Sequence, residues 1–157
     1  MVQPTIMTLR LAEPDEVRSV VAATERHRQS GQGWVNLAPD FGDDGPRPPK
    51  PSWFSGRGPI LPMVSLVPGK PTSNASGRPL MVGIEHGAGP KAIAKVTQAG
   101  LVLQPGWRVR QDHGRRGIVV EVAPASPVEP VLRWALAAAG ELCSLRLPDV
   151  WAAEIWS

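Results

Sequence analysis

Few residues in this chain are of a type and spacing that could do chemistry. There is one cysteine, Cys143, and there are three histidines, His27, His86 and His113. A single thiol excludes an intramolecular disulfide and any multi-cysteine metal site. Cys143 falls late in an apolar helical stretch, where a buried and inert thiol is the expectation. No G-x-S-x-G nucleophile pattern occurs. The histidines lie on three different expected elements without H-x-x-x-H spacing, so they read as surface or capping residues rather than metal ligands. The expectation is no catalytic residue, no metal and no cofactor.

One segment could hold an anion. In Glu85-His86-Gly87-Ala88-Gly89-Pro90-Lys91 a strand runs through glycines into a helix start, and Lys95 follows. Free amides and the helix dipole favour negative charge there. Neither the P-loop pattern nor G-x-G-x-x-G is met. Two readings stay open: a tight turn whose glycines take conformations closed to other residues, or an anion site at Gly87, Gly89, Lys91 and Lys95.

Charge is distributed unevenly. Residues 91–116 carry six basic side chains (Lys91, Lys95, Arg108, Arg110, Arg115, Arg116) and one acid, Asp112, a net of +5. Residues 117–157 carry two basic and five acidic side chains, a net of −3. A basic strip beside an aromatic residue, here Trp107, can bind nucleic acid. The competing reading is a solvated sheet face paired across strands with Glu85 and Glu121. The overall charge of +3 decides neither way.

Six tryptophans, two phenylalanines and no tyrosine make a lopsided aromatic set. Trp134 falls off the apolar stripe of its helix, and Trp151 and Trp156 fall on opposite faces of a closing strand. Tryptophan is enriched at interface hot spots, so Trp134, Trp151 and Trp156 are the candidate partner-binding residues. The competing reading has the proline-rich loop folding over and burying them.

The elements that would position these groups follow from periodicity. Alternation over Thr5–Leu11 gives a strand. Pro14 opens a helix with Asp15 and Glu16 in its first turn, Arg26, His27 and Arg28 in its last, and Gly31 as its stop. Val17, Val20, Val21 and Thr24 form its apolar stripe. Residues 38–60 read as an irregular surface loop, since Pro39, Pro46, Pro48, Pro49 and Pro51 each lack an amide donor. Trp53-Phe54 would pin that loop to the core. Met63–Val67 and Leu80–Glu85 are strands, and Pro90 opens a second helix that Gly100 ends. Trp107–Gln111 and Ile118–Val122 form a hairpin with Arg108 and Arg110 on its wetter side. Ser126-x-x-Glu129 has the form of a capping box. It leads a third helix with the stripe Val128, Val131, Leu132, Ala135, Leu136, Ala139 and Leu142, and Val150–Trp156 closes the chain.

Gly77/Gly114 and Pro90/Pro127 recur at the same offset of 37 residues, which suggests tandem ββα units. The expected order is β-α-(loop)-β-β-α-β-β-α-β over one domain spanning 1–157. A mostly antiparallel α+β sheet with about three helices on one face satisfies it. The alternation of helices and hairpins resembles that of type III secretion chaperones, a likeness of element order that implies a protein-binding role.

The first residues show no basic segment followed by an apolar run, and no stretch approaches the roughly 18 apolar residues of a spanning helix. A cytoplasmic location without membrane contact is the expectation. Thirteen arginines against four lysines is the bias of a high-GC bacterial genome. The leading expectation is a non-enzymatic, chaperone-like or adaptor module that binds another protein or itself as a homodimer. The alternative is nucleic-acid or phosphate-ligand binding through Lys91–Arg116.

Overall fold

The computed structural model describes residues 2–48, 55–72 and 76–157. Its elements run β1 (Thr5–Leu9), α1 (Pro14–Ser30), β2 (Trp34–Pro39), β3 (Met63–Pro68), β4 (Leu80–Glu85), α2 (Ala92–Gln98), β5 (Trp107–His113), β6 (Gly117–Val122), α3 (Val128–Leu142) and β7 (Trp151–Trp156). The seven strands form one antiparallel sheet in the order β1-β7-β2-β3-β4-β6-β5. This is the expected α+β class, with one strand more than the periodicity showed.

The added strand is β2. Val35 and Leu37 point inward and are fully buried, while Trp34, Asn36 and Ala38 point outward. Ala38 and Pro39 thus belong to the sheet, and the irregular segment begins at Asp40. Residues 40–48 contain no helix or strand. Trp53 and Phe54, read as the pin of that loop, lie outside the described residues.

Strands β2, β3, β4, β6 and β7 send alternate side chains to one buried layer, to which β1 adds Leu9 and β5 Trp107. Leu9, Val35, Leu37, Val64, Leu66, Leu80, Val82, Ile84, Ile118, Val120, Val122 and Ala153 pack there against the helices. From α1 come Val17 and Val20, from α2 Ala92 and Val96, and from α3 the full stripe from Val128 to Leu142. Burial of that kind contributes about 25 cal/mol per Å² of apolar surface removed from water. Among the described residues the other sheet face carries no helix.

The helix ends show which local signals prevailed. Gly31 takes φ +73°, and its amide donates to the carbonyl of His27 at 2.7 Å, closing α1 as its position suggests. The capping box at Ser126 does not form: Pro127 is the N-cap and no side chain caps α3. The Ser126 carbonyl accepts the buried Arg28 guanidinium at 2.9 Å instead. Pro130 sits at the third helical position, where an amide would have no partner within the helix anyway. The second helix starts at Ala92 rather than Pro90, because Lys91 takes φ +60°, outside helical conformation.

Candidate interaction surface on the open sheet face

The glycine turn before α2 is already supplied with an anion. Asp112, on β5, places its carboxylate over the start of the helix, accepting the amides of Ala92 at 3.0 Å and Ile93 at 3.2 Å. The Lys95 ammonium donates to the Ala88 carbonyl. His86 is wholly buried, and its Nδ1 accepts the Ala88 amide at 3.1 Å. With Nδ1 accepting, the ring is neutral and carries its proton on Nε2, which has no partner among the described residues. Burial lowers the His86 pKa, Asp112 partly opposes that, and Lys95 adds to it. An anion at Gly87, Gly89, Lys91 and Lys95 would thus have to compete with the Asp112 carboxylate at the start of α2. In this turn the Ala88, Ala92 and Ile93 amides and the Lys95 ammonium already have protein partners.

The basic residues do not assemble into one strip. The β5–β6 hairpin forms in the expected pairing, with Arg108 opposite Glu121 and Val109 opposite Val120. A bulge between Val109 and Gln111 then shifts the register. Arg108 and Arg110 are exposed, as expected, on the helix-free side, and Arg110 holds both Glu121 oxygens at 3.1 Å. At the hairpin tip Arg115 reaches back to the Ser55 carbonyl at 2.8 Å, while Arg116 is exposed. Lys91 and Lys95 belong to the helix layer, on the opposite side of the sheet from Arg108. Three of these cations, Lys95, Arg110 and Arg115, are therefore engaged by partners, and the six are divided between the two sides of the sheet.

The tryptophans divide differently from the expectation. Trp134 is 7% exposed. Its indole N–H donates to the Leu101 carbonyl at 3.2 Å, and its ring meets Trp107 edge-on with centroids 5.7 Å apart. Trp151 is 5% exposed and packs into the core beneath the helices. Neither can serve as a docking surface, which corrects both assignments. The burial of Trp134 comes from α3 being covered on a second side, by α2 and the Leu101–Leu103 segment. Trp156 remains on the helix-free face.

Around Trp156 that face has a defined character. Trp34 on β2 stands directly opposite Trp156 on β7, and the two rings stack with centroids 5.4 Å apart and planes 12° from parallel. Gly33 makes the approach possible. It takes φ +82°, and a β-carbon there would lie 2.3 Å from the Trp156 carbonyl oxygen and 2.7 Å from the His27 ring. Such a stack is worth about 0.5–1.5 kcal/mol beyond area burial. Ile6, Trp34 and Val67 on the same face are 67%, 40% and 38% exposed. Polar groups are interspersed: Ser65 donates to the Asn36 side-chain oxygen at 3.0 Å, and Glu154 stands opposite Asn36 on the neighbouring strand. The result around the pair is an apolar patch with isolated polar groups and, among the described residues, no covering helix. Of its exposed apolar residues, Trp34, Ile6 and Val67 went unnoticed in the sequence; the outward phase of the Trp34–Pro39 alternation could have found the first.

A cleft of about 540 Å³ opens where the end of α3 meets the segment before β3, lined in part by Arg57, Ile60, Glu141, Leu142 and Cys143. Cys143 lies just beyond α3, half-buried, with its thiol directed to the Ile60 carbonyl at 3.3 Å. Among the described residues no group of three His, Cys, Asp or Glu side chains could hold a metal ion. Nor is any described helix long and apolar enough to cross a membrane.

No protein-family model matches the chain, and no curated protein or solved structure matches it either. The likeness in element order to type III secretion chaperones therefore has no structural match behind it.

Proposed function

We propose that this chain is a non-enzymatic protein-binding module, of the adaptor or chaperone-like kind, that lays its helix-free sheet face against a partner protein. The observation that carries the reading is the stacked Trp34–Trp156 pair on that face, with Ile6 and Val67 exposed beside it. Rigid, partly exposed tryptophans ringed by smaller apolar groups are the usual anchors of a protein interface. The setting we propose is the cytoplasm of a high-GC bacterium. The arginine-to-lysine ratio supports the bacterium, and a lone thiol suits a reducing compartment.

Nucleic-acid or phosphate binding has less support. Asp112 occupies the start of α2, Glu121 engages Arg110, and the basic residues do not share a surface. The experiment is a capture of the tagged chain's partner from its native host, followed by titration of that purified partner. Trp34→Ala and Val67→Asp are expected to weaken binding by about 30-fold or more, the scale of a hot-spot loss. Unchanged affinity in both variants overturns the reading. Salt-dependent retention of the wild type on DNA or RNA, unaffected by Trp34→Ala, replaces it with the alternative.

A further inference from the structure

The two edges of the sheet are built differently. At one edge, β5 carries Arg108, Arg110 and Asp112, all exposed, together with the bulge between Val109 and Gln111. Charges and bulges are the devices by which sheet edges avoid pairing with other strands. At the other edge, β1 reads Thr5-Ile6-Met7-Thr8-Leu9 and has no charge, no proline and an unbroken register with β7. Among the described residues no loop or side chain bonds to the backbone of Thr5–Leu9 on its outer side; the first such bond is from the Arg10 amide to Glu16, at 3.0 Å. Thr5, Ile6 and Thr8 are exposed.

We infer that β1 pairs antiparallel with β1 of a second copy, centred on Met7, so that two seven-stranded sheets become one continuous sheet. The sequence of the strand selects this occupant. Turned about Met7, the strand sets Ile6 opposite Thr8 of the other copy on the helix-free face. Thr5 then meets Leu9, and Met7 meets Met7, on the helix side. Five uncharged residues self-pair without opposing like charges and without the bulge that interrupts β5. The nearest charge, Arg10, falls opposite Pro4, and its guanidinium is already held by Glu16 at 2.8 and 3.0 Å. The contact is isologous, so it closes at two copies and leaves β5 at both outer edges. The seam satisfies the outer amides and carbonyls of β1 at the usual strand spacing of about 4.8 Å. It also places the two helix-free faces side by side on one surface.

This inference stands on the strand edge rather than on the tryptophan face, and purified protein alone tests it. Sedimentation equilibrium of the full chain is expected to give twice the 16.8 kDa chain mass, falling toward the chain mass on dilution. The double substitution I6K/T8K opposes ammonium to ammonium at both ends of the seam and is expected to weaken the dimer more than about tenfold. The charge-swapped I6K/T8E carries the same lysine at an exposed position but opposes it to a carboxylate, so it is expected to dimerise. A wild type that stays at chain mass up to hundreds of micromolar overturns the inference. So does a dimer that survives I6K/T8K, or an I6K/T8E variant that folds but stays monomeric. Trp34→Ala is expected to leave the dimer intact, so failure of the partner-binding reading and failure of the seam register as separate results.

Discussion

Trp107 and Trp134 meet edge-to-face, with planes 72° apart, and so tie the outermost strand β5 to the central helix α3. Both rings are buried, and the Trp134 indole N–H is satisfied by Leu101. Trp134→Ala is therefore expected to cost about 3–5 kcal/mol of stability, the range for truncating a buried aromatic. Chemical denaturation gives the number. A loss under 1 kcal/mol, or a loss of partner binding at unchanged stability, contradicts the assignment of Trp134 to the core.

The carboxylate of Asp112 acts on a helix twenty residues earlier in the chain. Asp112→Ala removes the acceptor for the Ala92 and Ile93 amides, and a lost cap typically costs about 1 kcal/mol. Asp112→Asn keeps an acceptor oxygen and is expected to recover part of that loss. Equal destabilisation by the two substitutions would show that charge, rather than hydrogen bonding, is what the helix start requires.

Two buried histidines give the fold a sensitivity to acid. Burial is the main cause lowering the pKa of both His27 and His86, with Arg26 adding to the effect at His27. The unfolded chain titrates near 6.5, so below that pH it binds protons that the folded chain resists. Stability is therefore full above about 6.5 and falls as the pH drops toward the folded values, by up to about 1.4 kcal/mol per pH unit for each proton. Denaturation midpoints are expected to decline from pH 7 to pH 5, and His86→Leu is expected to flatten that decline. An unchanged slope in the variant would put the titrating group elsewhere.

Arg108 and Arg116 are exposed, and neutralising them tests the basic-strip reading directly. Arg108→Gln with Arg116→Gln is expected to leave partner affinity within about twofold, since exposed rim charges contribute little. A steep dependence of partner binding on salt, flattened by about one unit of log–log slope per arginine removed, would instead indicate phosphate contacts.

Much of this architecture is legible in the sequence because it is local. The stripes of α1 and α3, the Gly31 stop and the β5–β6 hairpin each depend on residues within a few positions of one another. What the sequence hid depends on distant neighbours. A helical stripe assumes one packing face, so Trp134 looks free until α2 and Leu101 are seen to cover a second side of α3. The start of α2 looks open until Asp112 arrives from a strand further along. The strand at Trp34–Pro39 is masked by the prolines that follow it. The Trp34–Trp156 pair was hidden for a further reason. It exists only because β7 inserts beside β2, and no periodicity reports which strand a given strand will join.

That insertion governs the order in which the sheet can assemble during synthesis. Strand β7 follows the other six in the chain, yet it lies between β1 and β2 and, among the described residues, is the only strand that β1 pairs with. While a ribosome is still extending the chain, β2 through β6 can zip together as a growing antiparallel sheet beneath α2 and α3. Over that interval β1 waits without a neighbour, tethered only through α1. The half of the fold that bears the tryptophan pair thus forms last, and the nascent chain exposes an unfilled slot at the edge of β2 until residues 151–156 emerge. Slots of this kind are open to mispairing and to chaperone capture for as long as translation lasts.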